Sequence, residues 1–165
     1  SMLRASARRD FSPPLSTRTG LNTSSPVNRK QPSSERICSS VWLAPGGGHL
    51  ELVRRGERPF LQVTPHAASA RWCPSADLLF ASAAAAFGPR VVAVVLTGMG
   101  DDGAEGCRAV AAAGGAVLCE SRETAVIPGM PDAAARAVLE ARRVPLPRLA
   151  AEIERHLAGA ARVAE

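Results

Sequence analysis

Residues 91–103, VVAVVLTGMGDDG, decide the fold. The first six are apolar without alternation, which is typical of a strand buried on both faces in the middle of a parallel sheet. Thr97 and three glycines follow, and then the small-residue helical pattern of 104–113. A strand, a glycine-rich turn and a helix form the arrangement in which α/β proteins place chemistry, because the crevice lies at the carboxyl ends of the strands. The adjacent carboxylates Asp101 and Asp102 are therefore the first candidates for a functional role.

The residues after this turn complete a parallel unit. Gly114 and Gly115 end the helix, and the apolar run 116–119 indicates the next buried strand. The span 91–119 is then a βαβ unit, which requires a parallel sheet and a right-handed crossover. Further downstream the pattern predicts a helix over 132–143 with Pro131 at its first position, an extended link over 144–147, and a last helix from about 147 whose leucine and isoleucine stripe docks on the domain.

Upstream, alternating apolar residues predict a hairpin. The predicted elements are a short strand over 41–44, two strands over 49–54 and 59–64 around a turn at 55–57, and a helix over 76–87 with Ser75 as N-cap, Asp77 in its first turn and Gly88 as its stop. The sequence therefore predicts an α/β fold. It is a doubly wound, mostly parallel sheet, Rossmann-like and three-layered, with an antiparallel edge hairpin.

Charge divides the chain into two parts. Residues 1–36 carry seven of the twenty Lys and Arg but two of the fifteen acids, whereas 37–165 is balanced. The first part lacks periodicity and is rich in Ser, Pro and Arg, so we interpret it as a disordered basic leader. The second part, 37–165, is the folded domain. Because its net charge is zero, we expect no nucleic-acid partner.

The cysteines and histidines show no metal-ligand spacing. The four cysteines form no Cys-x-x-Cys pair, and we expect Cys107 and Cys119 to be buried and reduced. This usage favours a cytoplasmic protein with neither a disulfide framework nor a zinc site. His49, His66 and His156 are interpreted as surface or satisfied residues. No apolar run reaches the length of a membrane span, so we expect no membrane insertion.

One alternative is a nucleotide-binding module. Residues 98–103 satisfy G-x-G-x-x-G after a strand, and Glu120 follows at about the expected distance. However, a pyrophosphate on this helix N-terminus would meet Asp101 and Asp102, at a cost of roughly 4 kcal/mol per close pair at an effective dielectric of 20. A second alternative is that these aspartates only cap the helix, which we favour for Asp101.

The same residues resemble a known family. The motifs are LTGMGDDGAEG (96–106), AGGAVLCESRETAVIPGMPDAAARA (113–137), WLAPGGGHLELVR (42–54) and CPSADLLFASAAAAFG (73–88). Together they are similar to the catalytic domain of the chemotaxis protein-glutamate methylesterases of the CheB type, over about 41–160. The resemblance implies a cytoplasmic ester hydrolase with a Ser-His-Asp triad. Its members demethylate glutamyl esters and deamidate glutamines on chemoreceptor helices, usually behind a phosphorylatable receiver domain.

The resemblance also implies roles for individual residues. Asp102 matches the triad aspartate, and Met99 matches the methionine whose backbone N–H contacts the oxyanion. Gly98 and Gly100, with Gly129 and Met130 of the next turn, match residues that line the cleft. No cofactor and no metal are implied.

The family's nucleophile and base are not identified in this sequence. The family's nucleophile stands in a G-A-S-T-G-G-like elbow and its histidine in a H-x-x-P-G-F-like loop, and both motifs are absent. Residues 16–20 only faintly resemble the elbow. We therefore expect an N-terminally truncated domain with weak or no activity of its own. Its partners would be methylated receptor helices and either a receiver domain or a complementary chain. A non-catalytic remnant that only docks on receptors is the third alternative.

Overall fold

The computed structural model describes residues 41–56, 58–66 and 71–162, and the leader predicted for 1–36 lies outside them. In chain order the elements are β1 (Gly48–Arg55), β2 (Arg58–Pro65), α1 (Ala76–Phe87), a 3₁₀ turn (Gly88–Arg90), β3 (Val92–Val95), α2 (Ala104–Ala112), β4 (Ala116–Glu120), α3 (Gly129–Ala137), β5 (Arg142–Val144) and α4 (Leu146–Arg162). The predicted α/β class and the βαβ unit are confirmed.

A parallel sheet forms the middle of the domain. Its strand order is β3-β4-β5, with Val92 opposite Ala116 and Leu118 opposite Arg142. Among the described residues β3 lies at the edge, although its apolar run predicted a strand in the middle. Helices explain the difference, because α2 and α3 cover one face of the sheet and α4 covers the other. Burial on both faces therefore needs two helical layers and not two neighbouring strands.

The helix predicted over 132–143 has different bounds. In the structure α3 starts three residues earlier and ends at Ala137, and Val138 takes extended backbone angles. The side chain of Val138 packs in the core, and Val144 accepts a hydrogen bond from Ser121 N–H at 3.0 Å within the sheet. Tertiary packing thus overrides the helix propensity of this Ala- and Arg-rich stretch.

The hairpin is confirmed, with Gly48 opposite Pro65 and Arg55 opposite Arg58. It forms a sheet of its own and docks on α1, where Leu52 N–H donates to Ser82 Oγ at 3.0 Å. The strand predicted over 41–44 is wrong, because these residues have no regular structure and no described partner strand.

The ends of the helices follow the sequence closely. Ser75 caps α1 by accepting a hydrogen bond from Leu78 N–H, and Gly88 ends that helix, as predicted. In α4, Leu149 is buried and Ile153 packs against the same cluster, but Leu157 is half exposed. The predicted docking stripe is therefore confirmed at its first two positions only.

Candidate active site

The loop between β3 and α2 is fixed by backbone hydrogen bonds to its neighbours. Thr97 N–H donates to the carboxylate of Glu120 at 2.8 Å, at the end of the adjacent strand. Gly98 N–H donates to Ile127 O, and Met130 N–H donates to Gly98 O, both at 2.8 Å. The loop after β3 and the turn that begins α3 thus form one rigid wall.

The predicted cleft residues meet in this wall. A Cβ on Gly129 would lie 3.0 Å from Gly98 O and 3.1 Å from Gly100 N, and a Cβ on Gly98 would collide with Met130 Sδ. The structure therefore brings Gly98, Gly100, Gly129 and Met130 together. Only residues without a side chain permit this approach of two backbones.

Met99 stands at the outer end of the same loop. Its side chain is 77% exposed, so it is not a core residue. No described backbone carbonyl accepts a hydrogen bond from its N–H. A backbone N–H without such an acceptor, beside a glycine-rich wall, is the kind of donor that an oxyanion requires.

Asp102 is held by the N-terminus of α1. Its Oδ1 accepts hydrogen bonds from Ser75 Oγ and Asp77 N–H, both at 3.1 Å, and its Oδ2 accepts one from Ala76 N–H at 2.8 Å. The side chain is 9% exposed. A carboxylate has about four acceptor positions, so three donors leave one position open on Oδ2. The carboxylate is fixed in place and can still accept one more hydrogen bond.

The contact between α1 and α2 is reciprocal. Asp77, in the first turn of α1, accepts a hydrogen bond from Gly106 N–H of α2 at 2.7 Å. The N-terminus of α1 therefore receives the carboxylate of Asp102, which precedes α2, and the first turn of α2 receives the carboxylate of Asp77. We expected Asp77 to act on the dipole of its own helix, and no pattern in the sequence indicated that it reaches α2.

Asp101 does not cap α2, so this prediction is wrong. Its side chain pairs with exposed Arg71 at 3.1 Å, and Gly103 occupies the N-cap position without a side-chain hydrogen bond. Asp101 contributes only its backbone oxygen, which accepts from Ala104 N–H. The capping carboxylate is Asp102, and the helix that it caps is α1.

The described residues supply no nucleophile and no base for Asp102. Its three donors come from 75–77 and none from a histidine. His49 and His66 lie at the base of the hairpin, and His156 lies on α4 at 3.8 Å from Glu152. Residues 16–20, which faintly resemble the family's nucleophile elbow, are outside the described residues.

The geometry argues against the nucleotide-binding alternative. Glu120 would have to face a ribose, but it is buried and accepts a hydrogen bond from Thr97 N–H. Asp102 lies at the turn where a pyrophosphate would bind. A glutamate that is buried and a carboxylate at this turn both disfavour a nucleotide phosphate on the N-terminus of α2.

A second buried aspartate was missed by the sequence analysis. Asp132 accepts hydrogen bonds from Arg122 Nε at 2.9 Å and Nη2 at 2.5 Å, and from Arg143 Nη1 at 2.6 Å. Hydrogen bonds from these two guanidinium groups hold the pKa of the Asp132 carboxyl at about 2, and Arg122 has the larger effect. The ion pairs connect the β4–α3 loop to β5. No spacing signal links 122, 132 and 143, because only the sheet brings them together.

The buried cysteines have no catalytic character. Cys107 and Cys119 are free and fully buried, as predicted. Burial raises the pKa of the Cys107 thiol to about 12 and that of Cys119 to about 11. Such thiols stay protonated and are not nucleophiles at neutral pH.

Among the described residues, no helix is long and apolar enough to cross a bilayer.

Comparisons with known proteins give the family of this chain. The sequence profile of the CheB methylesterase family matches residues 5–153, and so begins upstream of the span that the motifs cover. The protein-glutamate methylesterase/protein-glutamine glutaminase 1 of Myxococcus xanthus is 46% identical over 106 residues, which are 64% of this chain and 31% of that protein. The protein-glutamate methylesterase/protein-glutamine glutaminase of Trichodesmium erythraeum is 38% identical over 149 residues, which are 89% of this chain and 42% of that protein.

A solved structure shares the fold as well as the sequence. The CheB methylesterase catalytic domain of Thermotoga maritima superposes with a TM-score of 0.62 at 30% identity, covering 70% of this chain and 59% of that one. The chain spans about a third of the length of several curated relatives that it matches. From its profile match, its relatives and its structure, this chain belongs to the CheB methylesterase family.

Proposed function

We propose that this chain carries the aspartate part of a protein-glutamate methylesterase and glutaminase site. Its substrates are glutamyl methyl esters and certain glutamines on the cytoplasmic helices of chemoreceptors, and its place of action is the cytoplasm. The observation that carries the proposal is the state of Asp102. Its carboxylate is fixed by three donors, keeps one acceptor position open, and lies in the loop that holds Met99.

In this reaction Asp102 acts on a histidine. By accepting the imidazole N–H on Oδ2, it selects one tautomer and stabilises the imidazolium that forms when a serine gives up its proton. The serine oxygen bonds to the ester carbon, the carbonyl oxygen becomes an oxyanion, and methanol leaves with the proton. Water then releases the glutamate. From a glutamine the leaving group is ammonia.

The wall beside Asp102 would bind the oxyanion. The Met99 N–H has no described backbone acceptor, and the contacts of Gly98 and Gly129 keep the loop from moving. A donor that is already in place does not have to reorganise during the reaction, and loss of one such donor costs about 10²–10³ in kcat. Gly100 and Met130 would line the adjoining cleft.

The serine and the histidine must come from outside the described residues. A complementary chain is one source, and a receiver domain would be a further partner that regulates access. The isolated chain is then expected to be weakly active or inactive. Asp102 would also serve a purely structural role if it only caps α1, so the experiment has to separate the two roles.

A graft tests the proposal. The 106-residue segment of the Myxococcus xanthus relative that matches this chain is replaced by its counterpart from this chain. Methanol release from a methylated receptor is then measured. We expect the graft to be active, Asp102→Asn to lower turnover by about 10⁴-fold, and Asp101→Asn to change it little. Equal and small effects of the two substitutions would leave Asp102 as a helix cap and the chain as a docking remnant.

A further inference from the structure

A cluster of metal-ligating side chains lies at the base of the hairpin, and none of its members is a hydrogen-bond donor to Asp102. One ligand atom from each of His49, His66 and Cys73 lies within 4.8 Å of those of the other two. We propose that these three residues form a zinc-binding site. It goes beyond the proposed esterase activity and does not depend on it.

The fold creates this cluster from residues that are far apart in sequence. The hairpin register places Gly48 opposite Pro65, and His66 N–H donates to Gly47 O at 3.3 Å. The two histidines therefore leave neighbouring strands at the same end, with ring centroids 5.9 Å apart. The sequence analysis predicted no metal site because the spacing of these residues fits no known motif. The antiparallel pairing nevertheless brings the two histidines together.

The buried histidine is incomplete without a ligand. His49 is 3% exposed, and its Nδ1 has no hydrogen-bond partner among the described residues. A buried polar atom without a partner costs free energy, so nearly all such atoms in native proteins are satisfied. A cation bound at Nδ1 would remove the deficit. The unpartnered Nδ1 of His49 is thus the observation that distinguishes the cluster from a chance group of polar residues.

The ligand types select the metal. Two imidazoles and a thiolate are the set that Zn²⁺ prefers, and they are poor ligands for Mg²⁺ or Ca²⁺. Zinc bonds of about 2.0–2.1 Å to nitrogen and 2.3 Å to sulfur put tetrahedral ligands about 3.3–3.6 Å apart. The ligand atoms of the cluster lie within 4.8 Å of one another, a limit that includes this spacing. His66 is exposed, so a change of its rotamer can adjust the distances.

Three protein ligands leave a fourth position for water. On binding, the Cys73 thiol loses its proton to the buffer as the Zn–S bond forms. The bound ion would tie the hairpin to the segment before α1. That segment includes Ser75, which donates to Asp102, so the metal would also support the wall of the candidate active site.

Metal titration of the full chain tests the site. Zinc affinity is measured by competition with a chromophoric chelator, and cobalt is used to observe thiolate ligation in its absorption spectrum. We expect one zinc per chain. Cys73→Ser and His66→Ala should each weaken binding by at least about tenfold, since even partners that only orient ligands are worth 10–100-fold.

Two controls isolate the cluster. His156→Ala removes an imidazole from α4, and Cys107→Ala removes a thiol from the core, so both should bind zinc as the unchanged chain does. The cobalt–thiolate band should disappear in Cys73→Ser and persist in Cys107→Ala. The proposal is overturned if the chain binds no stoichiometric zinc, or if the cluster variants bind as tightly as the controls. Because no substrate is present, this result is independent of esterase activity.

Discussion

Asp102 and Asp132 are both nearly buried, but the domain satisfies them in opposite ways. Asp102 is 9% exposed and accepts hydrogen bonds from two backbone amides and a hydroxyl. Asp132 is 5% exposed and is paired with two guanidinium groups. The first carboxylate is held by neutral donors and the second by cations.

This difference separates a candidate catalytic residue from a structural one. A triad aspartate stabilises an imidazolium, and it can do so only while its own charge is not neutralised by another cation. The charge of Asp132 is already balanced by Arg122 and Arg143, so a further cation would gain little there. Asp102 has no cationic partner among the described residues and keeps one acceptor position. The two buried aspartates thus serve different purposes because one has neutral hydrogen-bond donors and the other has cationic ones.

The largest expected effect is on turnover. In the graft described above, Asp102→Asn should lower kcat by about 10⁴-fold, because the histidine then adopts the wrong tautomer. Asp132→Asn should leave the kcat of the folded protein nearly unchanged, since Asp132 has no part in the reaction. Rates are compared after correction for the folded fraction. A loss of similar size in both variants would end the distinction between the two aspartates.

The next effect concerns the packing that holds Asp102 in place. A Cβ on Gly106 would lie 2.7 Å from Phe80 Cβ and 2.8 Å from Asp77 O, where α1 and α2 touch. Overpacking against backbone costs about 3 kcal/mol, and the better helix propensity of Ala returns about 1. Gly106→Ala should therefore lower the free energy of unfolding by about 2 kcal/mol in urea. Gly46→Ala, with no atom within 4 Å of its Cβ, is the control and should change almost nothing.

A smaller effect is expected on the hydrogen bonds of Asp102. Asparagine keeps one acceptor oxygen, so Asp102→Asn should destabilise the chain by about 1 kcal/mol, the usual value of a helix cap. Asp101→Asn should cost less than about 0.5 kcal/mol, because its ion pair with Arg71 is exposed to solvent. Thermal and urea unfolding measure both. An Asp101 effect as large as that of Asp102 would contradict the assignment of the cap.

The smallest effect appears only in acid. Because its arginines hold the folded pKa of Asp132 at about 2, below the ordinary 3.8, Asp132 contributes stability that is present above pH 3.8 and is lost as pH falls toward 2. In Asp132→Asn the decline of stability over this range should be shallower. Arg122 is well exposed, so added salt should reduce the difference. An unchanged acid limb would show that the ion pairs do not matter to stability.

The sequence predicted what depends on local pattern. The apolar run of β3, the glycines of its loop and the caps Ser75 and Gly88 each act within a few residues, and the structure has them where the pattern indicates. The position of Asp102 followed from motif resemblance. Its donors could not be predicted, because α1 lies about 25 residues upstream and only the crossing of α1 and α2 brings it near.

The errors have the same physical origin. The helix predicted over 132–143 ended early because Val138 and Val144 pack in the core, and Asp101 lost its capping role to a contact with distant Arg71. The ion pairs of Asp132 and the cluster of His49, His66 and Cys73 also depend on strands that pair across the fold. Contacts between distant residues are set by tertiary structure, and a single sequence shows no periodic signal for them.

The most direct test of the role of Asp102 is a crystal structure of the graft. Our account predicts that an imidazole nitrogen of the supplied histidine lies about 2.6–3.2 Å from Asp102 Oδ2, with the bonds from 75–77 retained. The account would be contradicted if this histidine pointed elsewhere, or if another backbone amide filled the fourth acceptor position of Asp102.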